Sequence, residues 1–515
     1  MHASDCEADD LKEFELKFQV DATSRAAVEA AVGRGRSHRA RLRARYYDTE
    51  DGALAARHVV LRVRKEDGAW IQTAKAPGEL PVERLEHNVE LAPVRAGQQP
   101  APRIDRHHGT PVGERIAEAL REAGHTDAGA EPVLVPLYGT DVWRTMREMR
   151  SGDALVELAF DLGEVHSGER AQPLCELEIE LKHGSASAML ELARRWRGRY
   201  GLWLDTVSKS ARGERLARGE AFGPPVKASA PRLAEGAGGT QIFRAVLDSC
   251  LAQMLPNASE IAAGSPDPEH VHQLRVGIRR LRTALRELAE LAPAIDPGWE
   301  PVLADAFHAL GQPRDRMNLQ QAMQPRLEAL GAPPVDFGVP DAAGASDARA
   351  VVRGAALQDV LLQLIVASVA DGTALGTPLA TEAAGPARKL IRARLARLHH
   401  QVLRDGRRFE DLDSEAQHRV RKRLKRLRYL GEFVAPLFGR RAAQRFIEAL
   451  EPVQDALGEH NDAAMAMSLY RDIASTDGAA WFAVGWLSAS HPASAARCRK
   501  ALERMAEARP FWNKR

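Results

Sequence analysis

Four short runs carry a charged or polar side chain at every second residue, a spacing that gathers these groups onto one face of a β-strand. In the first, Glu13, Glu15 and Lys17 share one side, while Phe14, Leu16 and Phe18 share the other. Arg62 and Arg64 share a face, as do Glu86, Asn88 and Glu90, and likewise Glu176, Glu178, Glu180 and Lys182. Strands of this kind ordinarily turn their charges to water and their apolar side to a core. Here acids cluster on some strands and cations on others. One small region therefore offers oxygen ligands for a hard cation and donors for phosphate oxygens. If the apolar faces lie beneath helices, the charged faces line a barrel interior, which is costly unless it holds water, ions or a charged ligand. Mg2+ or Mn2+ on the carboxylates, with a triphosphate on the Arg and Lys side chains, would satisfy such an interior.

A second constellation lies further along and occurs twice. His272, Arg275, Arg279 and Arg282 recur as His418, Arg421, Lys425 and Arg428, at identical offsets. On an α-helix those offsets fall within an arc of roughly 80°. Leu274, Ile278 and Leu281, matched by Val420, Leu424 and Leu427, take the opposite face and are expected in a bundle core. No acid interrupts residues 270–286 or 416–431, so i,i+4 ion pairs within these runs are missing. Two such helices side by side would line a groove of positive charge able to grip phosphate oxygens, with Arg280 among the candidates. Bare polyphosphate suits such a groove better than single-stranded nucleic acid, because Tyr429 is the only aromatic in these runs near the basic face.

The elements that must position these groups differ in texture along the chain. Before residue 219 the periodicity is that of strands, and after residue 239 that of helices. Between them, GEAFGPPVKASAPRLAEGAGG keeps no apolar period and reads as a linker. The expected organisation is thus residues 1–218, a linker over 219–239, and residues 240–515. A Pro/Gly-rich stretch at 331–346 divides the last part into two halves. The chain of 515 residues carries 72 Lys and Arg against 70 Asp and Glu, so any affinity for polyanions must come from local clustering. Its four cysteines form no CxxC pair, which argues against a thiolate metal site and for a reducing compartment. The first residues lack the basic start and apolar run of a secretion signal, and no run of about 20 apolar residues suggests a membrane span. A cytoplasmic protein is expected, one that could associate with polyphosphate granules.

The run EFELK matches the ExExK signature of the CYTH superfamily, the triphosphate tunnel metalloenzymes. YYDT at 46–49, LRVR at 61–64, TAK at 73–75, the acids at 86–90, VWRT at 142–145, VELAFDLG at 156–163, ELEIELK at 176–182 and SKSARG at 208–213 follow in order. His58 stands where related sequences often have a small residue. The resemblance implies an eight-stranded antiparallel β-barrel with flanking helices that hydrolyses triphosphates with a metal. It implies Glu13, Glu15, Asp161, Glu176 and Glu178 as metal ligands or water-positioning acids, with Glu15 and Lys17 at the chemistry. It places Lys17, Arg62, Arg64, Lys75, Arg144 and Lys209 on phosphate oxygens, with Glu86 and Lys182 in second rank. The duplicated helices resemble the conserved-histidine α-helical domain, CHAD, an all-α bundle of two similar halves associated with polyphosphate. LGQPRD at 310–315 and VQDALGEHND at 453–462 resemble that family's second motif, including Asp315 and Asp462.

The expected fold class is therefore α+β, a barrel followed by a helical bundle with internal duplication. Inorganic triphosphate and polyphosphate are the expected partners, with neither sequence-specific nucleic acid nor membrane. The missing GxxxxGK[ST] loop excludes a P-loop mechanism. Two alternatives stay open: a non-catalytic polyphosphate binder, and an enzyme of an organic triphosphate such as thiamine triphosphate or ATP.

Overall fold

A computed structural model describes residues 14–513 except 67, 78–83, 96–97, 126–131, 293–294, 336–346 and 370–383, with the backbone alone at 84, 312–318 and 322. The chain divides into two compact units, one made chiefly of residues up to Pro225 and the other chiefly of residues from Val226.

In the first unit the elements run β1 (Phe14–Gln19), α1 (Arg25–Val32), β2 (His38–Asp48), β3 (Val60–Glu66), β4 (Ala69–Pro77), β5 (Arg84–Leu91), α2 (Pro111–Glu122), β6 (Val135–Ser151), β7 (Ala154–Ser167), β8 (Arg170–His183), α3 (Ala186–Tyr200), β9 (Trp203–Leu204) and α4 (Lys209–Arg218). They form one sheet in the order β5-β4-β3-β2-β6-β7-β8-β1-β9, with antiparallel neighbours throughout. The alternation read in the sequence fixes its two faces. Leu16, Phe18, Leu158, Phe160, Leu177 and Ile179 share one face and are buried. Helices α1 and α3 pack on β6 and β7, and α2 packs on β4 and β5. Lys17, Arg62, Arg64, Lys75, Arg144, Asp161, Glu176 and Glu178 share the other, inner face.

Helix α4 lies against that inner face. Its Leu216 packs on Ala40, Leu42, Val142, Val165 and Leu174. Gly213 permits the approach, since a Cβ there would stand 2.0 Å from the Tyr138 ring. The Ser208 hydroxyl accepts from the Ala211 N–H and starts the helix, which puts Lys209 at its first turn.

The expected barrel of eight strands needs correction. The sheet has nine strands, and its ends, β5 and β9, do not pair among the described residues. The extra strand has only two residues, too few to show alternation, yet it covers the free edge of β1 through Phe18↔Leu204 and Gln19↔Trp203.

Among the described residues ten α-helices follow: α5 (Gly239–Ala263), α6 (Pro268–Glu287), α7 (Trp299–Ala309), α8 (Gln312–Glu328), α9 (Ala348–Arg353), α10 (Ala355–Val369), α11 (Ala384–Gly406), α12 (Ser414–Phe438), α13 (Arg440–Ile473) and α14 (Ala480–Ala506). The repeated helices α6 and α12 begin alike. Asp267 accepts from the Glu269 N–H and Asp413 from the Ala416 N–H, each replacing a missing intrahelical partner. They pack against each other, and their apolar sides hold as expected: Leu274, Ile278, Leu281, Val420, Leu424 and Leu427 are all buried.

Candidate functional site

On the inner face, register brings together acids far apart in sequence. Asp161 of β7 lies opposite Glu176 of β8, and Glu178 lies opposite Lys17 of β1. One oxygen from each of Asp161, Glu176 and Glu178 lies within 4.8 Å of the others, which suits a hard cation bound through carboxylates. Three cations enclose this triad. Arg144, opposite Asp161 on β6, donates to both Asp161 oxygens at 2.7 and 2.6 Å and to Glu178 at 2.5 Å. Lys209 donates to Asp161 at 2.8 Å, to Glu178 at 2.6 Å and also to Glu176. Lys17 donates to the Val207 carbonyl and lies 3.9 Å from Glu176.

The electrostatics follow from that packing. Burial alone pushes the Glu178 carboxyl up, but Lys209, Arg144 and Lys17 outweigh it and hold Glu178 below the usual carboxylate range. The charge on Glu178, then burial, drive the Glu15 carboxyl up to about 8 despite Lys209, Lys17 and Arg144. Burial opposes the charge on Arg144 and Lys209, yet their carboxylate partners raise both well above their ordinary values.

The cations of β3 and β4 extend the inner face. Burial, and next the charge of Arg62, lower Arg64, which pairs with Glu66 at 2.6 Å. Lys75 pairs with Glu86 across β4 and β5. For Glu86, burial acts upward but Lys75 prevails and lowers it. Lys182 bonds Glu180 at 2.7 Å and lies 3.8 Å from Glu157, apart from the triad. Glu13 lies outside the described residues.

Several participants escaped the motif reading. Asp205, buried, takes Gln19 at 2.8 Å, the Val207 N–H at 2.8 Å and Arg212, and so ties the segment before α4 to β1. Its position three residues before the SKSARG run was its only signal. Glu157 and Glu180 lie opposite one another on the acidic strands and were legible from alternation alone.

In the helical unit, the basic sides of α6 and α12 meet. Lys425 is pushed down to about 7, first by burial and then by Arg279, Arg421 and Arg275, with Asp462 pulling the other way. Burial lowers Lys422 too, helped by Arg282, Arg286 and Arg426. The guanidinium groups of Arg275 and Arg279 stand 4.8 and 5.1 Å from the Phe307 ring centre, an aromatic support invisible in the repeated motif. His418 shares a hydrogen bond of 2.8 Å with Asn461, while His272 is exposed.

Parts of the expected ridge are differently used. Arg280 is buried, donates to Ser249, Gln253 and the Ser229 carbonyl, and covers the Phe433 ring, so it is a packing residue rather than part of the groove. Its i+1 place beside Arg279 turns it toward the bundle. Arg282 pairs with Glu300 of α7 at 2.8 Å, and Arg428 with Glu432, the residue just after its acid-free run, at 2.7 Å. Arg421 stands 4.0 Å from Asp462. The Asp315 side chain lies outside the described residues.

The chain thus joins a sheet with a densely ionised inner face to a helical bundle with a duplicated basic side. Residues 11–213 match the CYTH domain and residues 245–471 match the CHAD domain, in that order along the chain. It is similar to an inorganic triphosphatase of Haemophilus influenzae, with 28% identity over 171 residues. That match covers 33% of this chain and 44% of the relative, less than half of the relative's length. A crystal structure of the CHAD domain from Ricinus communis is 29% identical, covers 54% of this chain and 96% of its own, and has a TM-score of 0.42. A putative adenylyl cyclase from Hippeastrum with a dominant triphosphatase activity is 19% identical, covers 41% and 97%, and has a TM-score of 0.29. Among the described residues no helix is long and apolar enough to cross a membrane.

Proposed function

We propose that the N-terminal unit is a metal-dependent triphosphatase of inorganic triphosphate and that the helical unit grips inorganic polyphosphate. One observation carries the reading: the triad of Asp161, Glu176 and Glu178 shares an inner sheet face with Lys17, Arg62, Arg64, Lys75, Arg144 and Lys209. A surface that only bound anions would gain nothing from buried carboxylates, whose desolvation is costly. The donor set fits Mg2+ or Mn2+, since all three ligands are carboxylate oxygens and no thiol or imidazole joins them. When bound there, the ion supplies charge neutralisation at the phosphates.

The chain's own groups do the rest. Arg62, Arg64 and Lys75 hold the far end of the triphosphate, and Lys17, Arg144 and Lys209 hold the end nearest the acids, which fixes an in-line approach. Glu15, beside Glu178 and Lys17, orients the attacking water through its carboxyl group. Tyr46 and Tyr138, stacked 4.7 Å apart on this face, are buried against α4 and offer no free ring to a purine or thiazole, which favours the inorganic substrate.

For the helical unit the support is the meeting of Arg275 and Arg279 with Arg421 and Lys425 across two packed helices. The described cysteines, Cys175, Cys250 and Cys498, are free thiols, in keeping with a cytoplasmic protein working at polyphosphate granules. The deciding experiment measures phosphate release from triphosphate, ATP, thiamine triphosphate and long polyphosphate, with Mg2+ and with EDTA. Release from triphosphate only with metal is expected. Release from none of the four would overturn the enzymatic reading.

A further inference from the structure

We propose that Lys209 is a tethered counter-cation that holds the place of the divalent ion until triphosphate draws it away, so that metal and substrate load cooperatively. This rests on the triphosphatase reading above. The Lys209 ammonium contacts all three carboxylates whose oxygens converge, Asp161 at 2.8 Å, Glu178 at 2.6 Å and Glu176 as well. A Mg2+ ion needs oxygens of the same three carboxylates at about 2.0–2.1 Å, in the space the ammonium fills. The ammonium and the ion therefore cannot occupy the triad together.

The two cations that donate to the triad, Arg144 and Lys209, differ in how they are held. Arg144 is a sheet neighbour of Asp161, in register on β6, and binds it through two donors. Lys209 reaches the acids from α4, across the face, on a flexible four-carbon stem. Leu216 and Gly213 anchor that helix against the sheet, so the ammonium can swing while α4 stays in place. Lys209 is also largely buried, at 15% exposure, and a buried ammonium cannot be left unpaired. Without an anion its best partners are the carboxylates. A triphosphate lying against Lys17 and Arg144 offers it equivalent oxygens, and the exchange of partners vacates the triad. Because the two equilibria are linked, triphosphate must then raise metal affinity, and metal must raise triphosphate affinity by the same factor.

The test titrates the full chain with Mn2+ by calorimetry, alone and with a methylene-bridged triphosphate analogue, holding free Mn2+ fixed against chelation by the analogue. Wild type, Lys209→Gln, Lys209→Arg and Glu178→Gln are compared after circular dichroism confirms their fold. The analogue should tighten Mn2+ binding about tenfold or more in wild type, within the usual range of coupling. Lys209→Gln should bind Mn2+ about tenfold more tightly than wild type without the analogue and gain much less from it. Lys209→Arg, which keeps the charge, should remain close to wild type. Glu178→Gln should lose this binding, which identifies the site being read. Unchanged or weaker Mn2+ affinity in Lys209→Gln, an undiminished gain from the analogue, or binding that survives Glu178→Gln would overturn the proposal. Coupling without phosphate release from triphosphate would instead sink the triphosphatase reading and leave the role of Lys209 standing.

Discussion

The charge of Glu178 raises the Glu15 carboxyl above the usual carboxylate range. That negative charge is the largest cause of a Glu15 value near 8, and the surrounding inner face adds a desolvation cost although the Glu15 side chain still reaches solvent. The same cations that hold Glu178 ionised, Lys209 and Arg144 foremost, are too far committed to the triad to bring Glu15 down as well. A single inner face thus carries one carboxyl as an acid and its neighbour as a carboxylate, the division of labour that acid–base chemistry needs.

That relationship predicts a pH dependence of stability in the metal-free protein. Glu15 binds its proton more tightly when folded, at about 8 against an ordinary 4.5. Its contribution is fully present below the lower value and is lost as pH rises through the higher one. Glu15→Gln keeps the protonated shape and removes the titration. In EDTA, wild type and Glu15→Gln should melt alike near pH 5, and wild type should melt lower near pH 9. Parallel melting curves across that range would show that Glu178 does not govern Glu15.

Removing the triad should abolish the reaction without unfolding the sheet. Glu176→Gln with Glu178→Gln keeps the shape of both side chains and takes away two of the three charges that converge. Phosphate release from triphosphate should fall to background, while circular dichroism stays unchanged. Wild-type activity in EDTA equal to that in Mg2+ would remove the metal from the mechanism.

The cations of β3 and β4 are assigned to binding, and their loss should be graded rather than complete. Arg62→Ala or Lys75→Ala removes a charge-assisted hydrogen bond, worth about 1.5–3 kcal/mol. A roughly tenfold or greater fall in kcat/KM for triphosphate is expected. Unchanged kinetics in both variants would assign these side chains to a solvated surface.

How much of this was legible beforehand depends on how local the signal is. Alternation in β1, β3 and β8 named the inner face correctly, because the period of two is a property of each strand alone. The convergence of Asp161, Glu176 and Glu178 depends on register between strands, which spacing within a strand does not encode. Strand β9 was invisible because two residues have no period, and Arg280 was misplaced because adjacency in sequence stood in for adjacency in space. His58 shows the reverse case. It takes a left-handed backbone, φ 57°, at the turn after Ala55–Arg57, which explains physically why a small residue suits that place. In the bundle, the apolar side of the repeat was readable from offsets, whereas Phe307 and Glu300 come from another helix and left no trace in the motif.

The helical unit should separate folding from binding along the two sides of one helix. Leu424 is fully buried on α12, so Leu424→Ala should cost about 2–5 kcal/mol and lower the melting temperature. Arg275 and Arg421 flank Lys425 on the opposite side, where like charges already crowd one another. Charge reversal there, Arg275→Glu with Arg421→Glu, should leave the melt close to wild type and weaken polyphosphate binding strongly. Binding by wild type should itself fall steeply with salt, because each phosphate neutralised releases condensed counterions. The measurement is titration of the full chain with long polyphosphate at several salt concentrations, beside single-stranded and duplex DNA of equal charge. Tighter binding to DNA would replace polyphosphate as the partner. Wild-type affinity in the charge-reversed variant would return the meeting of α6 and α12 to an ordinary solvated surface.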